Sequence, residues 1–372
     1  MFNEAAGGIA MTATERHIYA AGNTARGYRT LYESVLADMD RVYLLTGVVE
    51  GITSALIEKL GKELQQQTEQ VEWIHSPFMN GQYDGVVLPE LKVAIMDHSY
   101  PRVWRPKGPG LTEIHVNLQA TLIPDRLAPY KEQIANWYDE IFRFNQQAYD
   151  AYAEALRIHD EWEGIYIGNL DREKANEITE ELKQQFFGSG SLGKTSRVRR
   201  MYLGAATPAG PVDHILKLTD HLEKRYFIKG RPGSGKSTML KKLVSEAEKK
   251  GYDVEVYHCG LDPNSLDMVI LPEKSVAIFD STAPHEYFPD KETDEVIDMY
   301  TRAITPGTDE RFQEEIEKIK ARYTRMVKEA TGYLVEAKNR REQLNAAYLE
   351  AVDQTRLQVV GQAITSVLTR NI

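Results

Sequence analysis

Between residues 225 and 280 the hydrophobic pattern changes period several times. RYFIKG (225–230) is a short apolar run entering a glycine turn, which predicts a strand. KSTMLKKLVSEAEKK (236–250) sets Met239, Leu240, Leu243 and Ala247 at helical spacing on one face, with Gly251 as a C-cap. VEVYH (254–258) predicts a second strand. SVAIFD (275–280) predicts a third, continuously apolar as buried parallel strands tend to be. Strand, helix, strand, then an apolar strand ending in aspartate is the pattern of an open parallel α/β sheet with flanking helices.

The same pattern occurs earlier in the chain, at a fixed spacing of 183 residues. VEWIH (71–75) lies over VEVYH, and DGVVLPELKVAIMD (84–97) over DMVILPEKSVAIFD (267–280). Tyr19 aligns with Tyr202, Thr24 with Thr207 and Gly27 with Gly210. One register kept through strands, loops and helices predicts two homologous halves. In each half a long, charged, proline-poor stretch follows the sheet pattern, 129–163 and 309–351, and predicts a long helix. A second helix follows from about 171 and about 354. At a spacing of 182 Tyr166 meets Tyr348 and Asp171 meets Asp353, which extends the repeat into the helices. The expected arrangement is an antiparallel helical arm on each sheet. GSGSLGKTSRVRR (188–200) reads as a flexible basic linker, giving domains at 1–187 and 200–372 with residues 188–199 between them.

Bulk properties narrow the function classes. A net charge of −10 gives no general attraction to nucleic acid or anionic membrane, and KTSRVRR is the lone basic stretch arguing otherwise. One cysteine, Cys259, excludes an internal disulfide and suits a reducing compartment. No stretch reaches the roughly 18 apolar residues of a membrane helix. The expectation is a cytoplasmic globular protein.

GRPGSGKS (230–237) supplies the chemistry. It matches G-x-x-x-x-G-K-[ST] between an apolar strand and an amphipathic helix, the setting of a phosphate loop. Gly230, Gly233 and Gly235 allow positive φ and bring backbone N–H groups against phosphate oxygens, and Arg231, Pro232 and Ser234 complete the cradle. Lys236 supplies a cation for the outer phosphates, Ser237 a hydroxyl for Mg²⁺, and Thr238 a neighbour for the α-phosphate. The helix starting near Lys236 points its positive end at the same anion. Asp280 ends the third strand where a magnesium-orienting carboxylate belongs. The group that activates the attacking atom is less legible, because Ser281 follows Asp280 where many ATP-hydrolysing proteins have glutamate. His258, Asp262, Asp267, His285 and Glu286 lie near strand ends, and His285 is the candidate specific to this half. Arg231 and Arg302 are candidate charge stabilisers.

In the first half the loop position reads GVVEGITS (47–54). Thr53 stands where Lys236 stands, Glu50 replaces Gly233 and Ile52 replaces Gly235, while Gly47, Ser54 and the strand-end Asp97 are kept. With no lysine between Glu50 and Asp97, the two carboxylates are expected to repel. This half is expected not to bind a nucleotide triphosphate. Arg102 and Arg105, after Asp97, read as surface charges or as groups reaching across to the other half.

These motifs, with ARGY (25–28), IHDEWEG (158–164), VEVYHCGLDPNSLD (254–267) and VILPEKSVAIFDSTAPH (269–285), make the chain resemble a bacterial family of tandem P-loop ATPase-like proteins with two homologous NTPase domains. The family pattern carries a phosphate loop in the first half as well, from which GVVEGITS departs. The resemblance implies ATP binding and hydrolysis and names no substrate. Three readings follow: a Mg²⁺-dependent ATPase with one site in the second half; a small-molecule or nucleotide kinase; and a nucleotide-gated scaffold whose helices dock a protein partner. The absence of an N-K-x-D segment favours ATP over GTP.

Overall fold

The computed structural model describes residues 13–104 and 108–369; Arg105 lies outside them. The first half contains β1 (Thr14–Ile18), β2 (Ala21–Thr24), β3 (Gly27–Thr30), α1 (Tyr32–Val35), β4 (Arg41–Thr46), α2 (Glu50–Leu64), β5 (Gln70–His75), β6 (Tyr83–Leu88), β7 (Val93–Asp97), β8 (Glu113–Asn117), α3 (Pro124–Leu127), α4 (Lys131–Ile167) and α5 (Arg172–Phe187). The second half repeats the sequence of strands as β9 (Val198–Tyr202), β10 (Gly204–Thr207), β11 (Gly210–Asp213), α6 (Ile215–Thr219), β12 (Lys224–Lys229), α7 (Lys236–Lys250), β13 (Val254–His258), β14 (Leu266–Leu271), β15 (Val276–Asp280) and β16 (Glu295–Asp298). It continues into α8 (Met299–Ala303), α9 (Thr308–Arg311), α10 (Gln313–Ala351) and α11 (Gln354–Thr369).

Each half builds a six-stranded sheet in the same spatial order, β1-β5-β6-β7-β4-β8 and β9-β13-β14-β15-β12-β16. The sheets are mixed rather than purely parallel. β6 and β14 run antiparallel to both neighbours, whereas β12 is parallel to β15 and to β16. The LDMVIL run between two prolines, Pro263 and Pro272, is thus a strand that the expected parallel sheet left out. The short hairpins also repeat: Thr24 and Thr207 each donate a side-chain hydroxyl hydrogen bond at 2.7 Å to the carbonyl of Gly27 and Gly210. Those glycines turn at φ 82° and 91°.

The long helices do not form a separate arm on each sheet. α4 and α10, each about 55 Å long at 1.5 Å per residue, lie antiparallel against one another, with Arg340 on Glu140 at 2.6 Å and Arg322 on Glu161 at 2.7 Å. Ala148, Ala151 and Ala330 pack with Tyr152 and Leu334 in the seam, small residues that let the two axes approach. The shorter helices then cross over. α5 buries Ile178, Leu182, Phe186 and Phe187 on Tyr226, Ile228 and the α7 face of the second half. α11 buries Ile364 and Leu368 with Leu56 and Leu60 of the first. The crossing is fixed by backbone bridges that repeat with the halves interchanged, Leu170 to Ile304 and Val352 to Leu122. Asp171 and Asp353 cap the exchanged helices, each accepting two backbone N–H groups. At about 1.5–3 kcal/mol per buried apolar side chain, the exchanged faces tie the halves together strongly.

The halves also meet through charge. Arg16 pairs with Glu255 at 2.6 and 2.8 Å, and Arg199 pairs in the same two-pronged way with Glu72. The backbone N–H of Tyr202 donates to the carbonyl of Tyr19 at 2.9 Å. The segment expected as a flexible linker is fastened: Leu192 N–H bonds Lys250 O at 2.8 Å, and Lys194 sits between Asp253 and Glu273 at 2.7 and 2.8 Å. Arg199 and Arg200, read as the end of that linker, belong to β9.

Candidate functional site

β12 is a central strand, and the 230–235 loop leaves its C-terminal end. Gly233 has φ +75° and Gly235, the residue before α7, φ +90°. A side chain there would be strained in any case. At Gly230 a Cβ would stand 2.5 Å from Ser234 Oγ, and at Gly233 it would stand 2.5 Å from the carbonyl oxygen of Glu163 on α4. The glycines thus serve both the turn and the close approach of another chain segment.

Within the loop Ser234 is buried and its hydroxyl donates to Arg231 O at 2.8 Å. Lys236, in the first turn of α7, donates to Arg231 O at 2.9 Å and lies 3.5 Å from the Asp280 carboxylate. The β12–β15 pairing sets Ile228 beside Asp280 and so delivers that carboxylate to the loop. Asp280 also accepts from Thr282 N–H and hydroxyl at 3.1 and 2.6 Å. Ser237 Oγ accepts from Leu266 N–H at 2.9 Å; Ser54 does the same for Tyr83 N–H at 2.8 Å in the first half. That bond explains a serine at this position in both halves. Pro232 is half-buried, and Thr238 is exposed on the outer side of the first turn.

Around this core the expected residues divide. Burial, then the Asp280 charge, raise the Asp267 carboxyl above its ordinary range, as expected of two carboxylates in one cleft. His285 bonds Asp213 through Nδ1 at 2.6 Å; burial works against its charged form, but Asp213, Asp267 and Asp280 outweigh that and raise its pKa. His258 is tied to Pro263 O at 2.7 Å, a structural duty. Asp262 pairs with Arg26 across the halves, and Glu286 is 3.7 Å from Lys229. Ser281 is buried, its hydroxyl spent on Tyr287 O at 2.6 Å. Arg231 leaves the loop to pair with Asp309 at 2.8 Å, which also accepts from Tyr166 OH at 2.8 Å. Arg302 is away from the loop, on Glu181 of α5 at 2.6 Å.

Two residues by this site, both within IHDEWEG, were not named as site residues from the sequence: Glu163, on α4 of the first half, touches the loop of the second through its backbone, and His159 lies one turn before it. His159 is 3.8 Å from Glu163; burial lowers its pKa despite Glu163 and Asp160, and the Lys236 charge lowers it further. The ligand atoms of His159, Asp160 and Glu163 lie within 4.8 Å of one another, an arrangement able to take a cation. The signal was available in the 182-residue spacing, which aligns His159 with Arg341 and Glu163 with Asn345. An open depression of about 610 Å³ lies nearby, beside Gly164, Gly168, Asn169 and Arg311, and none of the loop residues lines it.

The matching place in the first half is closed. α2 begins at Glu50, whereas α7 begins at Lys236, the counterpart of Thr53. Glu50 and Ile52 resist the positive φ that Gly233 and Gly235 adopt, so the chain takes helical backbone and the loop winds into an extra turn. The expected repulsion between Glu50 and Asp97 is absent, because Arg102 is no surface charge. It is 1 % exposed and reaches Glu50 at 2.5 Å, Asp84 at 2.6 Å and Asp97 at 3.6 Å. Arg341, from α10 of the other half, closes on Glu50 at 2.9 Å. Asn345 accepts Gly51 N–H at 3.1 Å, and both arginines lie over the Phe78 ring. Burial alone would raise the Glu50 carboxyl; Arg341 and Arg102 outweigh it and hold the group ionised.

No protein-family profile, curated protein or solved structure matches the chain.

Proposed function

We propose that the second half is a P-loop nucleotide site and that the chain is a Mg²⁺-dependent ATPase with one working site. The observation that carries this reading is the loop itself. Two glycines in left-handed conformation lead into a helix whose first residue, Lys236, stands 3.5 Å from the strand-end Asp280. A lysine, an aspartate and the free N–H groups of a helix start converge where the strand ends. Together they offer the charges and N–H donors that a phosphate and its cation would need, with the Lys236–Asp280 pair opening to take them.

In this reading the loop N–H groups and Lys236 bind the β- and γ-phosphates; Lys236 gives up Arg231 O to do so. The donors facing the loop end, Ser237 hydroxyl with the Asp280 and Asp267 carboxylates, are all oxygen, as Mg²⁺ requires. When bound, the ion would neutralise developing charge on the phosphates. Asp280 would hold its place through the Thr282 bonds. Against the effect of burial, His285, braced by Asp213, has its pKa raised by that partner and by the Asp267 and Asp280 charges, which suits a group that handles a proton. α4 backs the loop at Gly233, where the Glu163 carbonyl comes closest. The first half binds no nucleotide, because Glu50 and its arginines fill the equivalent seat.

A kinase is the second reading, favoured by the buried, fully bonded Ser281 where a water-activating glutamate is usual. Release of phosphate from Mg·ATP with no acceptor present supports hydrolysis. Label that stays on nucleotide until a small-molecule acceptor is added supports transfer. Hydrolysis that survives Lys236→Ala refutes the site.

A further inference from the structure

The closed first-half site is a template for the open one. In it a carboxylate, that of Glu50, is gripped from two directions, by Arg102 of its own half and by Arg341 of the other half's long helix. Glu50 occupies the position of Gly233, which has no side chain. At the same spacings the two gripping positions of the second-half site are His285 of its own half and His159 of the first half's long helix. Where the first-half site holds its own carboxylate between two guanidinium groups, one from each half, the second-half site has a glycine backed by the Glu163 backbone and two imidazoles, again one from each half.

We propose that His159, carried across from the first half on α4, donates a ring N–H to the terminal phosphate of a nucleotide bound at the 230–237 loop, so that the site is complete only when both halves contribute. The inference rests on the phosphate-loop reading above. The contact geometry supports it independently of the repeat. The α4 backbone already touches the loop, since a Cβ on Gly233 would come within 2.5 Å of Glu163 O. His159 lies one helical turn before Glu163 and therefore on the same face of α4. Glu163 lies 3.8 Å from the ring, and the Lys236 charge is near enough to help lower the His159 pKa, after burial and against Glu163 and Asp160. Among the described residues, His159 at half-burial has no hydrogen bond that would have to break first. The helix exchange gives the device its meaning: α4 belongs to the pair that joins the halves, so presence of the terminal phosphate would be felt along α4 and α10.

The test is the affinity of the full chain for a non-hydrolysable Mg·ATP analogue and for Mg·ADP, in wild type, His159→Ala and His159→Arg. A hydrogen bond to a charged group corresponds to roughly ten- to hundredfold in affinity. His159→Ala should therefore lose roughly tenfold or more for the triphosphate analogue, with the diphosphate changed by less than about twofold. His159→Arg, which copies Arg341, should recover most of the triphosphate affinity. Equal losses for both nucleotides, or an unchanged ratio, would overturn the contact. If wild type binds neither nucleotide, the phosphate-loop reading fails and this inference falls with it. If wild type binds both and the variants match it, only the inference fails.

Discussion

Replacing Glu50 by alanine removes the anion from the closed first-half seat and leaves two guanidinium groups facing one another. Glu50 is 7 % exposed and makes ion pairs at 2.5 and 2.9 Å with Arg102 and Arg341, both themselves buried. Arg102 keeps Asp84 and Asp97, but Arg341 loses its ion pair, and among the described residues its Nε already has no hydrogen-bond partner. Removing one member of a buried pair costs about 3–5 kcal/mol. At about 2–4 °C per kcal/mol for domains of 150–250 residues, that is a fall in melting temperature of roughly 6–20 °C, and the interlocked halves place it towards the lower end. Circular dichroism melts in a buffer without phosphate measure it. The vacated seat has the charge of an anion site, so pyrophosphate should recover part of the loss in Glu50→Ala and leave wild type nearly unchanged through this half. Because the cost comes from a stranded cation, Glu50→Ala/Arg341→Ala should melt higher than Glu50→Ala alone. A fall below about 2 °C, or a double variant that simply adds two losses, would refute the reasoning.

Further outcomes follow from the same contacts. Gly233→Ala must place a methyl against Glu163 O at a backbone angle of +75°, so it should abolish nucleotide binding and loosen α4, read as faster hydrogen exchange in the 155–170 region; normal binding would contradict it. Acid should destabilise the junction of the halves, where the rings of His75 and His214 lie 4.4 Å apart. Burial first, then neighbouring histidine charges, bring His75 down to about 3 and His214 to about 4. Both folded values lie below the unfolded value of about 6.5, so their stabilisation is complete above that pH and is lost as pH falls towards the folded values. Urea unfolding at pH 7.5 and pH 5.0 should show a drop on the order of 2–4 kcal/mol, reduced by His75→Phe; a flat profile would count against it.

The elements around the loop were legible because their patterns are local. An apolar run, a glycine-rich turn and a 3.6-residue periodicity fix β12, the loop and α7 without reference to the rest of the chain. Strand direction is not local: LDMVIL has the composition of a strand, but hydrophobicity does not say whether it runs with or against Val276–Asp280. β1 and β9, TERHI and VRRMY, hide for another reason. Arg16 and Arg199 are half-buried there because Glu255 and Glu72 come from the opposite half. The helix exchange is invisible for a related cause. Ile178, Leu182 and Phe186 announce an apolar face on α5, yet a periodicity names a face and not the sheet it will cover. Arg102 shows the same gap at the level of one residue: nothing in SYPRVW reveals that Asp84, Asp97 and Glu50 await its guanidinium group.

In the proposed reading each chain holds one nucleotide, at the second-half loop. Isothermal titration of the full chain with a non-hydrolysable Mg·ATP analogue tests it most directly, run on wild type, Lys236→Ala and Thr53→Ala. The expected result is a stoichiometry near one for wild type, binding lost in Lys236→Ala, and binding unchanged in Thr53→Ala. A stoichiometry near two, or binding that survives the loss of Lys236, would contradict it.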